Sequence, residues 1–279
     1  MKVKFYSCAF LLFVLALPAA LAAREKAGKK DFCQNYNYSN SDKVTFSELR
    51  ETNVSAGSSL NVDARRNGGI SVRGENRSDV LVRACVQTLA ETDEAARSLA
   101  RNIRIETGSI IRADGVPDEN KWSVSYEILV PRRMNMELTA HNGGIHISGV
   151  EGAIKFETMN GGIHLSEIAG DVRGRTTNGG VHVFLSDSIW RGSGLDVETT
   201  NGGVNVSIPE NFAASFETGT TNGGFKSDFP ALNVEKPSGK NGWKRHRHVT
   251  ADLNGGGALV RLVTTNGGVH INSLNAKSL

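Results

Sequence analysis

The sequence predicts an all-β protein built as a single-stranded parallel β-solenoid, with a smaller N-terminal β region that contains one short helix. Three observations lead to this prediction. The triplet Asn-Gly-Gly recurs along the second half of the chain, and apolar residues alternate with other residues on both sides of it. The composition is rich in glycine and poor in aromatic residues, with 31 Gly and 6% aromatics, which is typical of a fold with many turns.

Residues 1–23 have the pattern of a secretory signal peptide. Two lysines give a positive start, an apolar run extends over Cys8–Ala23, and Ala20-Leu21-Ala22 fits the small-x-small cleavage pattern. The run is shorter than the roughly 20 residues that a membrane-spanning helix needs, although an uncleaved anchor is the alternative. We expect an exported protein of the periplasm or cell surface, with no transmembrane segment after cleavage and a polar linker at 24–43.

Two cysteines, Cys33 and Cys85, remain after that cleavage. In an oxidising compartment they could form a disulfide, which would stabilise the fold by about 4 kcal/mol on the chain-entropy model. The alternative is two unrelated thiols. The sequence contains no Cys-x-x-Cys pattern, so it offers no redox or zinc site of that kind.

Residues 44–130 form the predicted N-terminal β region. A short helix is expected at about 92–102, because Thr92 is a good N-cap and two acidic residues follow it in the first turn. This helix could flank the solenoid, whose end would otherwise be an open sheet edge. Alternation typical of strands is visible at Leu60–Val62, Val80–Val86, Ile103–Ile105 and Val124–Val130.

Repeated Asn-Gly-Gly corners define the predicted solenoid over residues 131–279. The copies at Asn142, Asn160 and Asn178 recur every 18 residues, and further copies occur at Asn67 and Asn254. Glycine adopts the positive φ that we expect in a tight corner, and asparagine tolerates it better than most residues. The predicted corner residues are Asn142, Gly143, Gly144, Asn160, Gly161, Gly162, Asn178, Gly179, Gly180, Asn201, Gly202, Gly203, Asn222, Gly223, Gly224, Asn266, Gly267 and Gly268.

The residues around each triplet predict a strand on either side of it. Apolar residues occupy the third and fifth positions after the asparagine, as in Ile145 and Ile147, and often the fourth and sixth positions before it, as in Phe156 and Ile154. A β-hairpin is the obvious alternative, because Asn-Gly is a strong hairpin signal. The 18-residue period favours a solenoid instead, since stacked coils need equivalent residues in register.

These units resemble the bacterial "putative adhesin" family of domains of unknown function. The resemblance covers roughly residues 45–274, and it implies a right-handed, β-helix-like solenoid in an exported or envelope protein. It implies no catalytic residues. The features that carry it are the helix near Ala95, the strand ending in Val130-Pro131, the phrase Val206-Ser207-Ile208-Pro209 and the final unit Thr265-Asn266-Gly267-Gly268-Val269.

The repeat is irregular between Asn222 and Asn266. Asn254 precedes Asn266 by only 12 residues, and we interpret it as a second corner inside the last coil. The segment before it, which includes the basic cluster Lys244–His248, is expected to protrude as a loop. This cluster could contact an anionic polysaccharide, a phospholipid or an acidic partner, or it could simply be solvated.

A column of histidines is the strongest candidate for chemistry. His146, His164, His182 and His270 each lie four residues after the asparagine of a corner, so their side chains should point outward. The first three would lie about 4.8 Å apart on neighbouring strands. Three imidazoles in one line do not make the tetrahedron that zinc prefers, so we expect a polar stacking surface rather than a metal site. A pH-sensitive surface is the other alternative, because neighbouring imidazolium charges repel.

Charged residues on the predicted outer face alternate in sign. Glu157, Arg175 and Glu198 occupy the same position in successive coils. Cross-strand pairs of this kind contribute about 0.2–1 kcal/mol each. We expect a solvated, stabilising face, and a carbohydrate-binding or catalytic face is the alternative.

The sequence gives no sign of catalysis or of a cofactor. It contains no Gly-x-Ser-x-Gly, His-Glu-x-x-His or phosphate-loop motif, and its net charge of only +3 gives no reason to expect nucleic acid. Together with the resemblance, this predicts a non-catalytic, adhesin-like binding or scaffolding protein of the bacterial cell envelope, whose partner is an envelope protein or a polysaccharide. The alternatives are a regulatory partner of a membrane or envelope-stress protein and a carbohydrate-active enzyme on a β-helix.

Overall fold

The computed structural model describes residues 32–35, 43–232 and 247–274, which form a mostly β fold with two sheets rich in parallel pairs. The strands of the first sheet, termed sheet A, are in spatial order β1 (Val44–Ser55), β4 (Asp79–Ala90), β7 (Trp122–Pro131), β3 (Ile70–Glu75), β9 (Ile145–Ser148), β11 (Ile163–Ser166), β13 (Val181–Phe184), β15 (Val204–Pro209), β20 (Val269–Leu274) and β17 (Phe225–Ser227).

The second sheet, termed sheet B, also has ten strands among the described residues. In spatial order they are β18 (Arg247–Leu253), β16 (Ala214–Asn222), β19 (Leu259–Asn266), β14 (Gly194–Asn201), β12 (Ala169–Asn178), β10 (Glu151–Thr158), β8 (Asn135–Ala140), β2 (Ser59–Asp63), β6 (Ile111–Asp114) and β5 (Arg104–Thr107). The described helices are α1 (Asp93–Arg101) and two 3₁₀ helices, Phe32–Asn35 and Pro230–Leu232.

Each coil consists of one strand of sheet B, an Asn-Gly-Gly corner and one strand of sheet A. The two strands at a corner therefore belong to different sheets and do not form a hairpin. Ile163 pairs in parallel register with Ile145 on one side and Val181 on the other, and all three are fully buried. Equivalent residues are thus stacked as predicted, because the apolar face of every coil must be covered by its neighbours. The result is a solenoid-like fold.

The last coil in the sequence is not the last coil in the stack. β19 pairs with β14 on one side and β16 on the other, while β20 lies between β15 and β17. The coil formed by β19 and β20 is therefore inserted between two coils that are consecutive in the sequence. The repeat spacing did not predict this insertion, because it reports the length of a coil and not which coil will lie beside it.

The N-terminal β region is continuous with the stack. The corner at Asn67 joins β2 to β3, and these strands pair with β8 and β9 to form the first coil. The predicted helix is present as α1, where the Oγ1 of Thr92 accepts a hydrogen bond from the N–H of Ala95 at 3.2 Å. It packs against β4 and β1. The domain boundary at residue 130 stays a prediction.

The segment before the last coil differs from the prediction. Asn254 lies in the turn between β18 and β19, which both belong to sheet B, and its side-chain amide donates to the carbonyl oxygens of Glu210 and Phe212 at 2.9 Å. It is therefore not a corner between sheets. In the basic cluster, Arg247 and His248 begin β18, whereas residues 244–246 lie outside the described residues.

The predicted signal peptide and most of the predicted linker also lie outside the described residues. In the part that is described, no helix combines the length and the apolar character needed to cross a membrane. Cys33 is joined to Cys85 of β4 by a disulfide with an S–S distance of 2.01 Å. This bond ties the N-terminal 3₁₀ helix to sheet A.

Candidate functional site

The corners form a continuous ladder of asparagine side chains along the stack. The side-chain amide of each asparagine donates to the Oδ1 of the asparagine in the adjacent coil, at 2.7–3.0 Å. The amide of Asn67, at the end of the ladder, donates to the carbonyl oxygen of Glu119 at 2.7 Å. In spatial order the ladder consists of Asn67, Asn142, Asn160, Asn178, Asn201, Asn266 and Asn222.

The first glycine of each corner is required by a close approach between coils. A Cβ on Gly161 would lie 2.1 Å from the carbonyl oxygen of Gly143, and the equivalent glycines of the other corners have the same restriction. The prediction that these glycines supply a positive φ was wrong, because none of the corner glycines has one. The positive-φ glycines of the repeats lie elsewhere in the coil: Gly149 is in the turn between β9 and β10, and Gly170 is at the start of β12.

Two consecutive threonines with opposite roles precede the corners at Asn178, Asn201, Asn222 and Asn266. The first is buried and donates its hydroxyl to a glycine carbonyl of the adjacent coil, as Thr176 does to Gly161 at 2.8 Å. The second lies on the outer face of sheet B. Strand residues alternate between the two faces of a sheet, so when the first threonine points inward the second must point outward. The doubled threonine therefore indicates an outer row of threonines, which the sequence predictions overlooked. In spatial order the outer row consists of Thr177, Thr200, Thr265 and Thr221.

The outer threonines line a depression of about 510 Å³ on sheet B. A second outer row is formed by the residues two positions before these threonines in each strand. In this row β12 and β14 carry the large residues Arg175 and Glu198, whereas β19 and β16 carry Val263 and Gly219. His248 follows on β18. Val263 and Gly219 lie between the larger side chains of Glu198 and His248, and this difference in size creates the depression. We term it the threonine groove and define it by Thr177, Thr200, Thr265, Thr221, Val263 and Gly219.

Arg261 organises the charged wall of the threonine groove. Its guanidinium lies 2.7 Å from Oδ1 of Asp196, 3.2 Å from Oε1 of Glu217 and 3.8 Å from Oε2 of Glu198. Burial alone would lower the pKa of Arg261, but the hydrogen bonds and charges of Asp196 and Glu217 outweigh it and raise that pKa. The arginine is therefore a permanent cation shared by several carboxylates.

The predicted alternation of charge on the outer face of sheet B produces an ion pair between Arg175 and Glu157. The guanidinium of Arg175 donates to both carboxylate oxygens of Glu157, at 2.9 and 3.0 Å, and this hydrogen bonding raises the pKa of Arg175. His248 lies 3.2 Å from Oε1 of Glu217. The carboxylates Glu157 and Glu217 thus face cations or an imidazole, so the groove is polar and nearly balanced in charge.

The predicted histidine column is present on the outer face of sheet A. The rings of His146 and His164 stack with centroids 4.4 Å apart and planes inclined by 4°, and those of His164 and His182 stack at 4.7 Å and 16°. Desolvation lowers the pKa of His146 and of His164, and the pKa of His164 is lowered further by the charges of His146 and His182.

The stacked imidazoles do not converge on a common point. Zinc needs nitrogen ligands directed at one centre at about 2.0–2.1 Å, whereas parallel rings direct their nitrogens side by side. Among the residues that the structure describes, no group of three or more His, Cys, Asp or Glu side chains could hold a metal ion.

A second groove, of about 460 Å³, runs beside these rings. It lies between the histidines and a parallel row on the same strands that consists of Ser148, Ser166, Phe184 and Ser207. We term it the histidine groove and define it by His146, His164, His182, Ser148, Ser166 and Ser207.

Comparison with known proteins identifies one family. The model of the Toastrack DUF4097 family, a domain of unknown function, matches residues 132–272. This match confirms the family resemblance predicted from the repeats. No curated protein matches the chain.

Several solved structures are similar to this chain at low identity. A "putative cell adhesion protein" from Clostridium sporogenes has 10% identity and a TM-score of 0.42, with 82% of this chain and 100% of that chain covered. A "putative adhesin" from Bacteroides fragilis has 8% identity and a TM-score of 0.34, with 81% and 97% covered. A "putative adhesin" from Parabacteroides merdae has 8% identity and a TM-score of 0.29, with 80% and 96% covered.

Proposed function

We propose that this chain, which belongs to the Toastrack DUF4097 family, is a non-catalytic, adhesin-like binding protein of the bacterial cell envelope. We propose that it holds a neutral, hydroxyl-rich polysaccharide in the threonine groove. The observation that carries the proposal is the row of four outer threonines on adjacent strands, beside the depression at Gly219.

The chemistry of the threonine groove suits a hydroxyl-rich ligand. A threonine hydroxyl both donates and accepts hydrogen bonds, as a sugar hydroxyl does. Neighbouring hydroxyls repeat at the strand spacing of about 4.8 Å, so a linear polymer could make the same contact with each coil. Glu198 and Arg261 on the wall offer further acceptors and donors. The β-strand backbone holds these groups in place before the ligand arrives, which limits the entropy lost on binding.

The arrangement of carboxylates supports a binding role over a catalytic one. Hydrolysis of a glycosidic bond by the common mechanism uses two carboxyl groups, one of them protonated, across the bond. Here Glu157 is engaged by Arg175, while Asp196 and Glu217 are engaged by Arg261. Each of these three carboxylates therefore already has an arginine partner within the wall.

Export to the envelope is part of the proposal. The predicted signal peptide and the disulfide between Cys33 and Cys85 support it, because disulfides persist in oxidising compartments. The right-handed winding of a single-stranded β-helix is likewise proposed, on the family resemblance alone.

The test is a glycan array probed with the wild-type protein and with two variants. Thr200→Val/Thr265→Val removes two groove hydroxyls, and Thr52→Val removes an exposed threonine on β1 as a matched control. We expect the double variant to bind a neutral glycan about tenfold more weakly, because each lost hydrogen bond costs roughly 0.5–1.5 kcal/mol. The control should bind like the wild type. Failure of the wild type to bind any neutral glycan, or unchanged binding by the double variant, would contradict the proposal.

The same samples distinguish the two alternative functions. Release of shortened oligosaccharides from a bound glycan would indicate a carbohydrate-active enzyme. A regulatory partner of a membrane or envelope-stress protein would instead bind no glycan, and it would retain a protein from solubilised envelopes whether or not Thr200 and Thr265 are substituted.

A further inference from the structure

We propose that the histidine groove is a second binding site, which takes a linear acidic polysaccharide when its imidazoles are protonated. This inference does not depend on the threonine groove, because the two grooves lie on different sheets. It rests on the stacked rings, on the charges around them and on the row of polar side chains opposite.

The histidine row gains positive charge along most of its length on acidification. From His146 the row continues in register through His164, His182, Asn205 and His270 to Lys226 on β17. Four imidazoles therefore lie in line with the side chain of a lysine. Among the described residues, no carboxylate stands in this row between His146 and Lys226.

The charged groups that border the row lie outside it. Ser71 of β3 pairs with His146, and Glu127 lies one strand further away, on β7, where it forms an ion pair with Arg83 of β4. Asp228 follows β17 and accepts a backbone hydrogen bond from β20 at 3.1 Å. Glu167 lies in the turn that follows β11. These carboxylates flank the row but none interrupts it, so the row can attract an anion once it is protonated.

Stacking makes protonation and anion binding mutually dependent. Two imidazolium groups 4.4–4.7 Å apart repel one another, so without an anion the stack resists taking up several protons. A polymer with one carboxylate for each ring would offset this repulsion. The groove therefore gains positive charge as its imidazoles take up protons, most strongly when the ligand is present.

The opposite wall of the groove favours a polysaccharide over other polyanions. Ser148 and Ser166 offer hydroxyls beside the rings, and the amide of Asn272 is fixed by Asn205 at 2.7 Å. Phe184 is an isolated aromatic side chain in this wall, whereas single-stranded nucleic acids need several aromatic stacking platforms. Arg73, at the start of the wall, lies 2.9 Å from Glu75.

The experiment measures binding of polygalacturonate, with dextran as the neutral control, at about pH 5 and about pH 7.5, on either side of the histidine pKa. The test variant is His146→Asn/His164→Asn/His182→Asn, because asparagine already occupies the equivalent position at Asn205. The control variant is Thr200→Val/Thr265→Val.

We expect the wild type to bind polygalacturonate roughly tenfold more tightly at the lower pH, and dextran equally at both. The histidine variant should lose this pH dependence, and the threonine variant should keep it. Equal affinity at the two pH values, retention of the pH dependence by the histidine variant, or equally tight binding of a single-stranded DNA oligonucleotide would overturn the inference. None of these outcomes bears on neutral glycans in the threonine groove.

Discussion

Asn178 donates its side-chain amide to Oδ1 of Asn160 at 2.7 Å, although the two residues are 18 positions apart in the chain. The glycines that follow these asparagines are also packed against each other, since a Cβ added to Gly179 would lie only 2.0 Å from the carbonyl oxygen of Gly161. The Asn-Gly-Gly corner is therefore specified by its neighbours in the stack and not by local turn geometry. The corner asparagine of one coil finds its hydrogen-bond partner, and the first corner glycine its packing partner, in the adjacent coil.

The two glycines of one corner should respond very differently to substitution. Gly161→Ala places a methyl group against a backbone carbonyl that cannot move aside, and we expect a loss of about 3 kcal/mol or more in the free energy of unfolding. In Gly162→Ala the atoms nearest to the new methyl group are 3.4 Å away, so we expect the free energy of unfolding to change by less than about 1 kcal/mol. Urea unfolding of both variants measures the difference. Comparable losses in the two would show that backbone conformation, and not stacking, selects glycine.

Adjacent threonines offer a second matched pair. Thr176→Val removes the hydroxyl that donates to the Gly161 carbonyl in a buried position, so we expect it to lower the free energy of unfolding by about 1–3 kcal/mol. Thr177→Val alters an exposed side chain and should stay within about 0.5 kcal/mol of the wild type. Both are measured by urea unfolding. A larger loss for Thr177→Val would reverse the roles assigned to the two residues.

Acidification should destabilise the histidine stack in the absence of ligand. The pKa values of His146 and His164 are lowered in the folded protein, so the unfolded chain binds protons first as the pH falls through about 6.5. Stability is therefore lost from about pH 6.5 downward. We expect Tm to fall between about pH 7.5 and about pH 5, and to fall less in His146→Asn/His164→Asn. The same decrease in both proteins would mean that other groups cause it.

Reduction of the disulfide should weaken the whole described fold. The bond between Cys33 and Cys85 closes a separation of 52 residues, for which the chain-entropy model gives about 4 kcal/mol. Urea unfolding with and without reductant measures this, and Cys33→Ala/Cys85→Ala, in which reductant has no bond to break, is the control. An identical midpoint for the oxidised and reduced protein would show that the bond does not constrain the unfolded chain.

The sequence was sufficient for the features that depend on local pattern. The alternation around each corner placed Ile145, Ile163 and Val181 in one buried column, and Thr92 marked the start of α1. Two features were missed for physical reasons. The insertion of β19 beside β14 depends on long-range pairing, which the repeat length does not encode. The outer threonine groove depends on the same insertion, since it places Thr265 between Thr200 and Thr221.

The order of the coils is the claim on which the threonine groove depends, and thiol cross-linking tests it most directly. Thr200→Cys/Thr265→Cys places two thiols on adjacent strands, about 4.8 Å apart, whereas Thr200→Cys/Thr221→Cys places them two strands apart, at about 9.6 Å. With a reagent that spans one strand spacing, we expect the 200–265 pair to cross-link and the 200–221 pair to remain free, as read by peptide mass mapping. Faster cross-linking of the 200–221 pair would show that the coils stack in sequence order.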